Sequence, residues 1–382
     1  MYRFNGRETA GDCISMKPVI GSYQLYYSPP LGGAEISQHN YYKELSKYYD
    51  VYAYCFLHGN EYFKKTNTFD LDGVHVVQSQ CEAPVAINSF IKLKKPKVIF
   101  TGLLGSETFI NIATENQIPI VHFFHGILED FCGQSISRQC MDRSILSCPV
   151  DTAKECLARM QIRKNREKYR RCKSLICNSE FTTDVLARLY PDLVERSFLV
   201  YPNFDYSQIK YDGSVKENQR IKILASNSSP WKGRDFIYDF AKKFRSVVDI
   251  IYADCSSNMF NEFENVTVLP KVSRERMFEL YQEVNVSMLP AVLSETFSGF
   301  ACESILSGTP VISSNRGNLP NLIEKNSGCA MDNFDLDKWY LKICELRNAR
   351  VPIENVERLK AKVDFDRNFK VLKNCVDAAI GE

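Results

Sequence analysis

Strand-like and helix-like segments alternate along almost the whole chain, and this rhythm restricts the fold more than any other feature. Apolar runs at Lys17–Tyr27, Val51–Phe56, Val74–Gln78, Lys97–Thr101, Pro119–His125, Ser174–Asn178 and Ser197–Pro202 read as strands. Ala34–Lys47, Val85–Leu93, Glu107–Glu115 and Thr182–Leu189 read as helices between them. Parallel strands need a crossover, usually a helix, so the alternation predicts parallel sheets covered on both faces. The polar stretch Ser207–Arg220 interrupts the rhythm. It resumes with strand Ile221–Ala225, helix Arg234–Lys243, strands Val247–Ala253 and Val266–Leu269, and helix Ser273–Val284. Leu336–Leu346 and Asn355–Val363 follow as helices, and Asp366–Ala379 closes the chain with Phe369, Leu372, Val376 and Ala379 on one face. A chain of 382 residues is too long for one small core. The expectation is an α/β protein with two doubly wound, Rossmann-like domains, residues 17–206 and 221–364, a linker at 207–220, and a last helix within 365–382.

Ligands of doubly wound sheets bind beyond the carboxyl ends of the strands. The richest such segment is Ser294–Ser314. The buried run Val286–Leu289, ended by Pro290, precedes it. Gly299–Leu306 reads as a helix stopped by Gly308, and Pro310–Ser313 as the next strand. Glu295 then falls in a strand-to-helix loop, and Glu303, eight positions on, about one turn into the helix. The start of the helix offers backbone N–H groups and the positive end of its dipole, an anion site. Ser294, Thr296 and Ser298 add hydroxyls. A sugar nucleotide needs amides for its diphosphate and carboxylates for its sugar hydroxyls. The competing reading is a cap followed by a surface glutamate.

Three further loops fit that picture. Pro29-Pro30-Leu31-Gly32-Gly33-Ala34-Glu35 opens the first helix, where Gly32 and Gly33 let the backbone approach a ligand. Val121–Gly126 ends a strand, and alternation puts His122 and His125 on opposite faces, with His125 at the tip. Asn227–Arg234 places Lys232 just before a helix, where its charge meets a departing phosphate.

The segment from Glu295 to Val311 resembles the E-x7-E signature of the GT4-type retaining glycosyltransferases. The Gly-Gly-Ala-Glu and Lys-Gly elements match loops of the same family, and Asn178-Ser179-Glu180 and Tyr201-Pro202-Asn203 match scaffold landmarks. The resemblance covers nearly the whole chain from Lys17. It implies the GT-B fold: two doubly wound Rossmann-like domains facing across a cleft, the acceptor bound by the first and the nucleotide sugar by the second, with the C-terminal helix crossing back to the N-terminal domain. It implies catalytic roles for His125, Glu295 and Lys232, and donor binding by Gly32, Gly33, Arg234, Thr296, Phe297, Ser298, Gly299 and Glu303, with Glu303 on the ribose. It implies neither metal nor cofactor. The donor expected is a UDP- or GDP-sugar, with UDP favoured, and the acceptor a glycan or lipid-linked hydroxyl in cell-surface polysaccharide or glycoconjugate synthesis. The sequence departs from the family at Ser298, where glycine is common, and at Ser304, where alanine is usual. It departs again at Ser226, where an arginine normally stands, and Arg234 is the candidate replacement. Asn315–Pro320 resembles another family loop but lacks its final acid, and receives no role.

A formal net charge of +2 argues against wholesale nucleic-acid binding. No apolar run is long enough to span a bilayer, and the polar N-terminus lacks a signal-peptide core. The expected location is therefore cytoplasmic, with peripheral contact at the inner face of an anionic membrane. The basic run Gln161–Lys173 and, more weakly, Lys92, Lys94, Lys95 and Lys97 suit that contact; a solvated helix face is the plain alternative. Cys132, Cys140, Cys148 and Cys156 recur every eight residues in the Gly126–Lys173 insert, and buried thiols, a metal site and redox pairs all remain open. Two other functions compete. A non-hydrolysing sugar-nucleotide epimerase shares the fold but needs acids and histidines poised at the sugar, and the five histidines, His39, His58, His75, His122 and His125, do not suggest that. A catalytically impaired nucleotide-sugar-binding partner subunit is supported by Ser226 alone.

Overall fold

The computed structural model describes residues 17–24, 33–55, 65–102, 106–126 and 153–381, with side chains from Met160 onward in the last segment. Gly32, His58, Cys132, Cys140 and Cys148 lie outside the described residues, as does the side chain of Cys156.

The first domain is built on β1 (Val19–Gln24), β2 (Asp50–Cys55), β3 (Asn67–Leu71), β4 (Val74–Gln78), β5 (Val98–Gly102), β6 (Ile120–Phe124), β7 (Ser174–Cys177) and β8 (Ser197–Leu199). They form one eight-stranded sheet in the order β3-β4-β2-β1-β5-β6-β7-β8. All neighbours are parallel except β3, which pairs antiparallel with β4 at the edge. The sequence reading omitted β3. Its signal was Asp72-Gly73, both with positive φ (52° and 83°), the two-residue turn that hairpins favour. Buried valines and isoleucines fill β5 and β6, as expected of strands covered on both faces.

Helices α1 (Gly33–Leu45), α2 (Ala83–Lys94), α3 (Ser106–Glu115), α4 (Ala153–Arg170) and α5 (Glu180–Leu189) cover this sheet. The helices divide between two apolar layers. Ile87, Phe90, Ile110, Tyr169 and Leu186, from α2 to α5, belong to one. Tyr41, Tyr42 and Leu45 of α1 belong to the other. The basic run proves to be the end of α4. Three of its cations face carboxylates of the same domain: Lys164 to Glu107 at 3.0 Å, Arg166 to Asp192 at 3.2 Å, and Arg170 to Asp192 at 2.9 Å and Glu167 at 2.6 Å. Ile162, Asn165 and Tyr169 turn inward.

The second domain repeats the plan with β9 (Ile221–Ser226), β10 (Val248–Ala253), β11 (Val266–Leu269), β12 (Val286–Leu289), β13 (Val311–Ser314) and β14 (Gly328–Met331), all parallel, in the order β11-β10-β9-β12-β13-β14. Around it lie α6 (Arg234–Lys243), α7 (Arg274–Glu283), α8 (Gly299–Leu306), α9 (Leu319–Leu322), α10 (Leu336–Leu346) and α11 (Ile353–Lys362). The sequence reading omitted β14 too. Gly328 starts it, and a Cβ there would stand 1.8 Å from the Val311 carbonyl oxygen, so the pairing demands a bare backbone. The polar linker is not loose. Tyr211 donates to the Val351 carbonyl at 2.9 Å, Asn218 to Asn285 at 2.9 Å, and the Asp212 amide to the Ser307 carbonyl at 3.1 Å, so it lies along the second domain.

The last helix, α12 (Phe365–Ile380), leaves the second domain and packs on β5 to β8 and α1 of the first. Phe369, Leu372, Cys375, Val376 and Ala379 join the α1 layer of the core. Asp364 caps it by accepting from the Arg367 amide at 2.8 Å, and Asn368 accepts from the Tyr201 amide at 2.9 Å. Leu372 is fully buried. Leu372→Ala should lower stability by about 2–5 kcal/mol through lost burial and a residual cavity. Urea denaturation should show an earlier midpoint for the first domain; an unchanged midpoint would mean α12 does not dock there.

Candidate functional site

A cavity of about 460 Å³ opens between the carboxyl ends of the two sheets. The first domain contributes Gly33, Gln38, His125 and Asn178; the second contributes Lys232, Glu295, Glu303 and the Thr296–Gly299 loop.

Lys232 and Glu295 are its centre. The Lys232 ammonium sits 2.6 Å from Glu295 Oε1, with the glutamate side chain 13% exposed. Backbone packing fixes both ends of this pair. Lys232 ends a 3-10 turn, and the next residue, Gly233, has φ +90°; a Cβ there would lie 2.1 Å from the Pro290 carbonyl oxygen. The Val292 amide donates to the Trp231 carbonyl at 2.8 Å, so the lysine turn rides on the segment that follows β12. Glu295 is held from the other side. Gly317, φ +62°, pairs with it as a parallel bridge, and a Cβ on Gly317 would come within 2.1 Å of the Glu295 carbonyl oxygen. The Asn318 amide donates to that oxygen at 2.7 Å. The Asn315–Pro320 loop, given no role above, is therefore the clasp on Glu295.

α8 begins beside this pair. Ser298 is its N-cap, accepting from the Ala301 amide at 3.2 Å, so the hydroxyl standing where glycine is common has a structural use. Ser304, the other departure, is buried with Oγ 2.8 Å from Ser287 Oγ and 2.9 Å from the Thr309 carbonyl. Phe297 stacks on Phe204 (6.2 Å, 11°), and the Phe204 ring lies 3.7 Å from where a Cβ of either Gly33 or Gly299 would be. Thr296 is committed to the domain junction. It donates to the His125 carbonyl at 2.9 Å and accepts from Asn178 Nδ2 at 3.1 Å. The sequence reading took Asn178 as scaffold, but it lines the cleft and bridges the domains. Ser179 beside it caps α5 in a capping box with Thr182.

His125 lies just past β6 with its ring stacked on Phe123 (5.9 Å, 13°). A Cβ on Gly102 would stand 3.1 Å from His125 Cδ2, so the bare glycine makes room for the ring. His122 points the other way, fully buried, with Nδ1 2.9 Å from the Thr101 hydroxyl.

Glu303 is the buried acid. Its Oε2 accepts from the Tyr281 hydroxyl at 3.0 Å, and Oε1 faces the Arg274 guanidinium at 3.5 Å. Burial pushes its carboxyl up from the usual range, while Arg274 and Tyr281 pull it back. Beside it, burial pushes the Cys302 thiol up to about 12, so this cysteine is an inert core group. Sequence reasoning missed Arg274; its signal was a cation directly after the helix-capping Ser273. Arg234, expected at the phosphates, turns to Asp235 (2.9 Å) and is not among the residues lining the cleft. Ser226 lines it with no cation in its place.

Comparison with known proteins bears on the fold and the family. Residues 242–348 match the family described as glycosyl transferases group 1. The D-inositol 3-phosphate glycosyltransferase of Mycolicibacterium smegmatis is 26% identical over 194 residues, covering 45% of this chain and 44% of that protein. The protein of the same description from Mycobacteroides abscessus is 22% identical over the same length and shares. The match thus spans less than half of these relatives. Sucrose-phosphate synthase from Thermosynechococcus elongatus superposes with a TM-score of 0.74 at 12% identity, over 96% of this chain and 100% of that one. HepE of Anabaena, in complex with UDP and glucose, superposes at 0.68 and 14%, over 94% and 99%. The fold is GT-B.

The close approach at Gly233 is testable on the folded protein alone. Gly233→Ala combines positive-φ strain, about 1–2 kcal/mol, with a collision against the Pro290 backbone. Gly381 has the same φ of +90° but nothing within 4 Å of its Cβ position. Gly233→Ala should therefore lower the melting temperature clearly more than Gly381→Ala; equal losses would show that the lysine turn is not seated on Pro290.

Proposed function

We propose that this chain, a GT-B protein whose second domain carries the match to group 1 glycosyltransferases, is a retaining glycosyltransferase of the GT4 type. It moves a sugar from a nucleoside-diphosphate donor, a UDP-sugar by preference over a GDP-sugar, to an acceptor hydroxyl. The observation that carries the reading is convergence. Lys232, Glu295, Glu303 and the start of α8 meet His125 of the other domain around one cleft. HepE of Anabaena, complexed with UDP and glucose, shares the fold and supports a nucleotide-sugar donor.

In this reading the diphosphate lies at the N-terminus of α8, where backbone N–H groups and the helix dipole favour anions. Lys232 takes up charge on the departing phosphate as the bond from the anomeric carbon to that phosphate breaks. The acceptor oxygen bonds the same carbon from the same face and passes its proton to the leaving phosphate. Glu295 stabilises positive charge at the anomeric carbon and holds Lys232 in place. His125 contacts the donor sugar, and Glu303 the ribose hydroxyls. The reaction so drawn calls for no metal and no further cofactor. The acceptor is a glycan or lipid-linked hydroxyl, met by the first domain, in polysaccharide or glycoconjugate synthesis. No helix among the described residues is long and apolar enough to cross a membrane. The setting proposed is the cytoplasm, with peripheral contact at the inner membrane face; since Lys164, Arg166 and Arg170 of α4 face carboxylates, the Lys92–Lys97 corner is the better candidate for it.

One observation favours a second reading, a nucleotide-sugar-binding partner subunit with impaired catalysis: neither Ser226 nor Arg234 brings a second cation to the phosphates. Thermal unfolding with UDP, GDP and ADP separates the possibilities. A nucleotide at one hundred times its Kd should stabilise by about 2.7 kcal/mol, and Glu303→Ala should abolish the effect. Lys232→Ala should lower kcat of sugar transfer by about 10²–10³. Binding without turnover by the purified chain would favour the partner subunit, and no stabilisation by any nucleotide would sink both readings.

A further inference from the structure

Behind the cleft, against its Glu303, stands a cation that none of the expected motifs supplies. Arg274, the first residue of α7, touches three parts of the molecule at once. Its Nη2 donates to the carbonyl of Asp205, just before the linker, at 2.8 Å, and the same nitrogen lies 3.5 Å from Glu303 Oε1. The guanidinium also lies over the rings of Phe204 (5.9 Å) and Phe278 (5.4 Å). Its Nε is buried without a hydrogen-bond partner among the described residues. That is an arrangement of net cost for a group serving only the fold.

We propose, building on the nucleotide-sugar reading, that Arg274 is a positioning residue of the nucleotide site: it fixes the Glu303 carboxylate for the ribose diol and ties it to the segment joining the domains. An ionised carboxylate offers about four lone-pair positions on its two oxygens. Tyr281 uses one on Oε2, and Arg274 occupies the side of Oε1. Each oxygen keeps a position for one hydroxyl, so the pair can be met by two vicinal hydroxyls together. Both restraints come from α7, and with them the carboxylate stays in one orientation. The nearly parallel Phe204 ring on Phe297 then connects the same guanidinium to the loop before α8.

The charge on Glu303 depends on this contact. Burial opposes ionisation, and Arg274 is the stronger of the two groups restoring it, ahead of Tyr281. Tyr281 of α7, Tyr206 near the linker and Cys302 on α8 also face the carboxylate. Burial raises all three, Cys302 to about 12 and both tyrosines well above their usual range, so none of them titrates near neutrality. A group whose carboxyl is raised loses its charge, and here its ligand, as pH falls through the raised value. Removing Arg274 moves that loss to higher pH.

The experiment is calorimetric titration of the purified full chain between about pH 5 and 9. The probes are whichever of UDP, GDP and ADP stabilises the wild type, and its 2′-deoxy counterpart. Arg274→Gln should shift the acid-side loss of affinity upward, weakening the ribonucleotide about tenfold for each pH unit by which the inflection passes the assay pH. It should also narrow the preference for the ribonucleotide over the deoxynucleotide. Arg274→Lys, which keeps the charge, should restore the pH profile; Glu303→Gln should remove the acid-side inflection assigned to Glu303. A wild type that binds none of the nucleotides overturns the nucleotide reading and this inference with it. Wild-type binding with an Arg274→Gln profile and diol preference like the wild type overturns the inference alone. An equal loss for both probes with no shift of the inflection also overturns it, leaving Arg274 a fold contact.

Discussion

The cleft depends on backbone approaching backbone where no side chain fits. At Gly233 against Pro290, and at Gly317 against Glu295, the space for a Cβ is already filled by a carbonyl oxygen 2.1 Å away. Both glycines also hold φ in the left-handed region, +90° and +62°, where a side chain would add strain. The two contacts seat the lysine turn and the glutamate loop on the same connection between β12 and α8. The 2.6 Å ion pair of Lys232 and Glu295 is then the outcome of main-chain packing and not of two long side chains finding each other.

The two domains are joined at the site as well as by the chain. The Thr296 hydroxyl on the His125 carbonyl and the Asn178 amide on the Thr296 hydroxyl cross the cleft floor. The Phe181 amide also reaches Asn318, in the clasp that holds Glu295. Farther out, α12 sends five apolar residues into the first domain's core, while the linker lies along the second. Changes in the angle between domains are therefore felt first at Thr296, Asn178 and Asn318. These residues sit against the groups proposed to meet the anomeric carbon.

Much of the plan was legible because it rests on periodicity. Strands buried on both faces read as continuous apolar runs, and β5, β6, β12 and β13 were found that way. The missed strands have different physics. Edge strand β3 is half exposed and polar, and only its Asp72-Gly73 turn announces it; β14 is short and begins at a glycine chosen for its neighbour's carbonyl. At the site, the residues placed around the cleft from sequence were those tied to strand ends. The sequence reading missed partners, because a partner is set by tertiary geometry. Arg234 stands beside Lys232 in the chain yet turns to Asp235, while Arg274, far away in sequence, arrives at Glu303 on the start of α7. Asn318 is a similar case: a fully buried amide in a loop that lacked the expected acid.

Charge balance explains why that difference matters. Around the cleft Glu295 is matched by Lys232 and Glu303 by Arg274, so these described side chains leave little surplus positive charge for a diphosphate. With serine at position 226, the balance must be met by groups that carry no formal charge. The start of α8 is such a group, with its exposed N–H donors and a dipole worth roughly half an elementary charge. Its effect is strongest in a site shielded from water, where an oriented dipole is screened least. In the proposed reading the donor brings its phosphates close to Gly299 and Phe300, and the bare backbone at Gly299, open except for the Phe204 ring, leaves room for that approach. A side chain at position 299 would stand between such phosphates and the amides proposed to receive them.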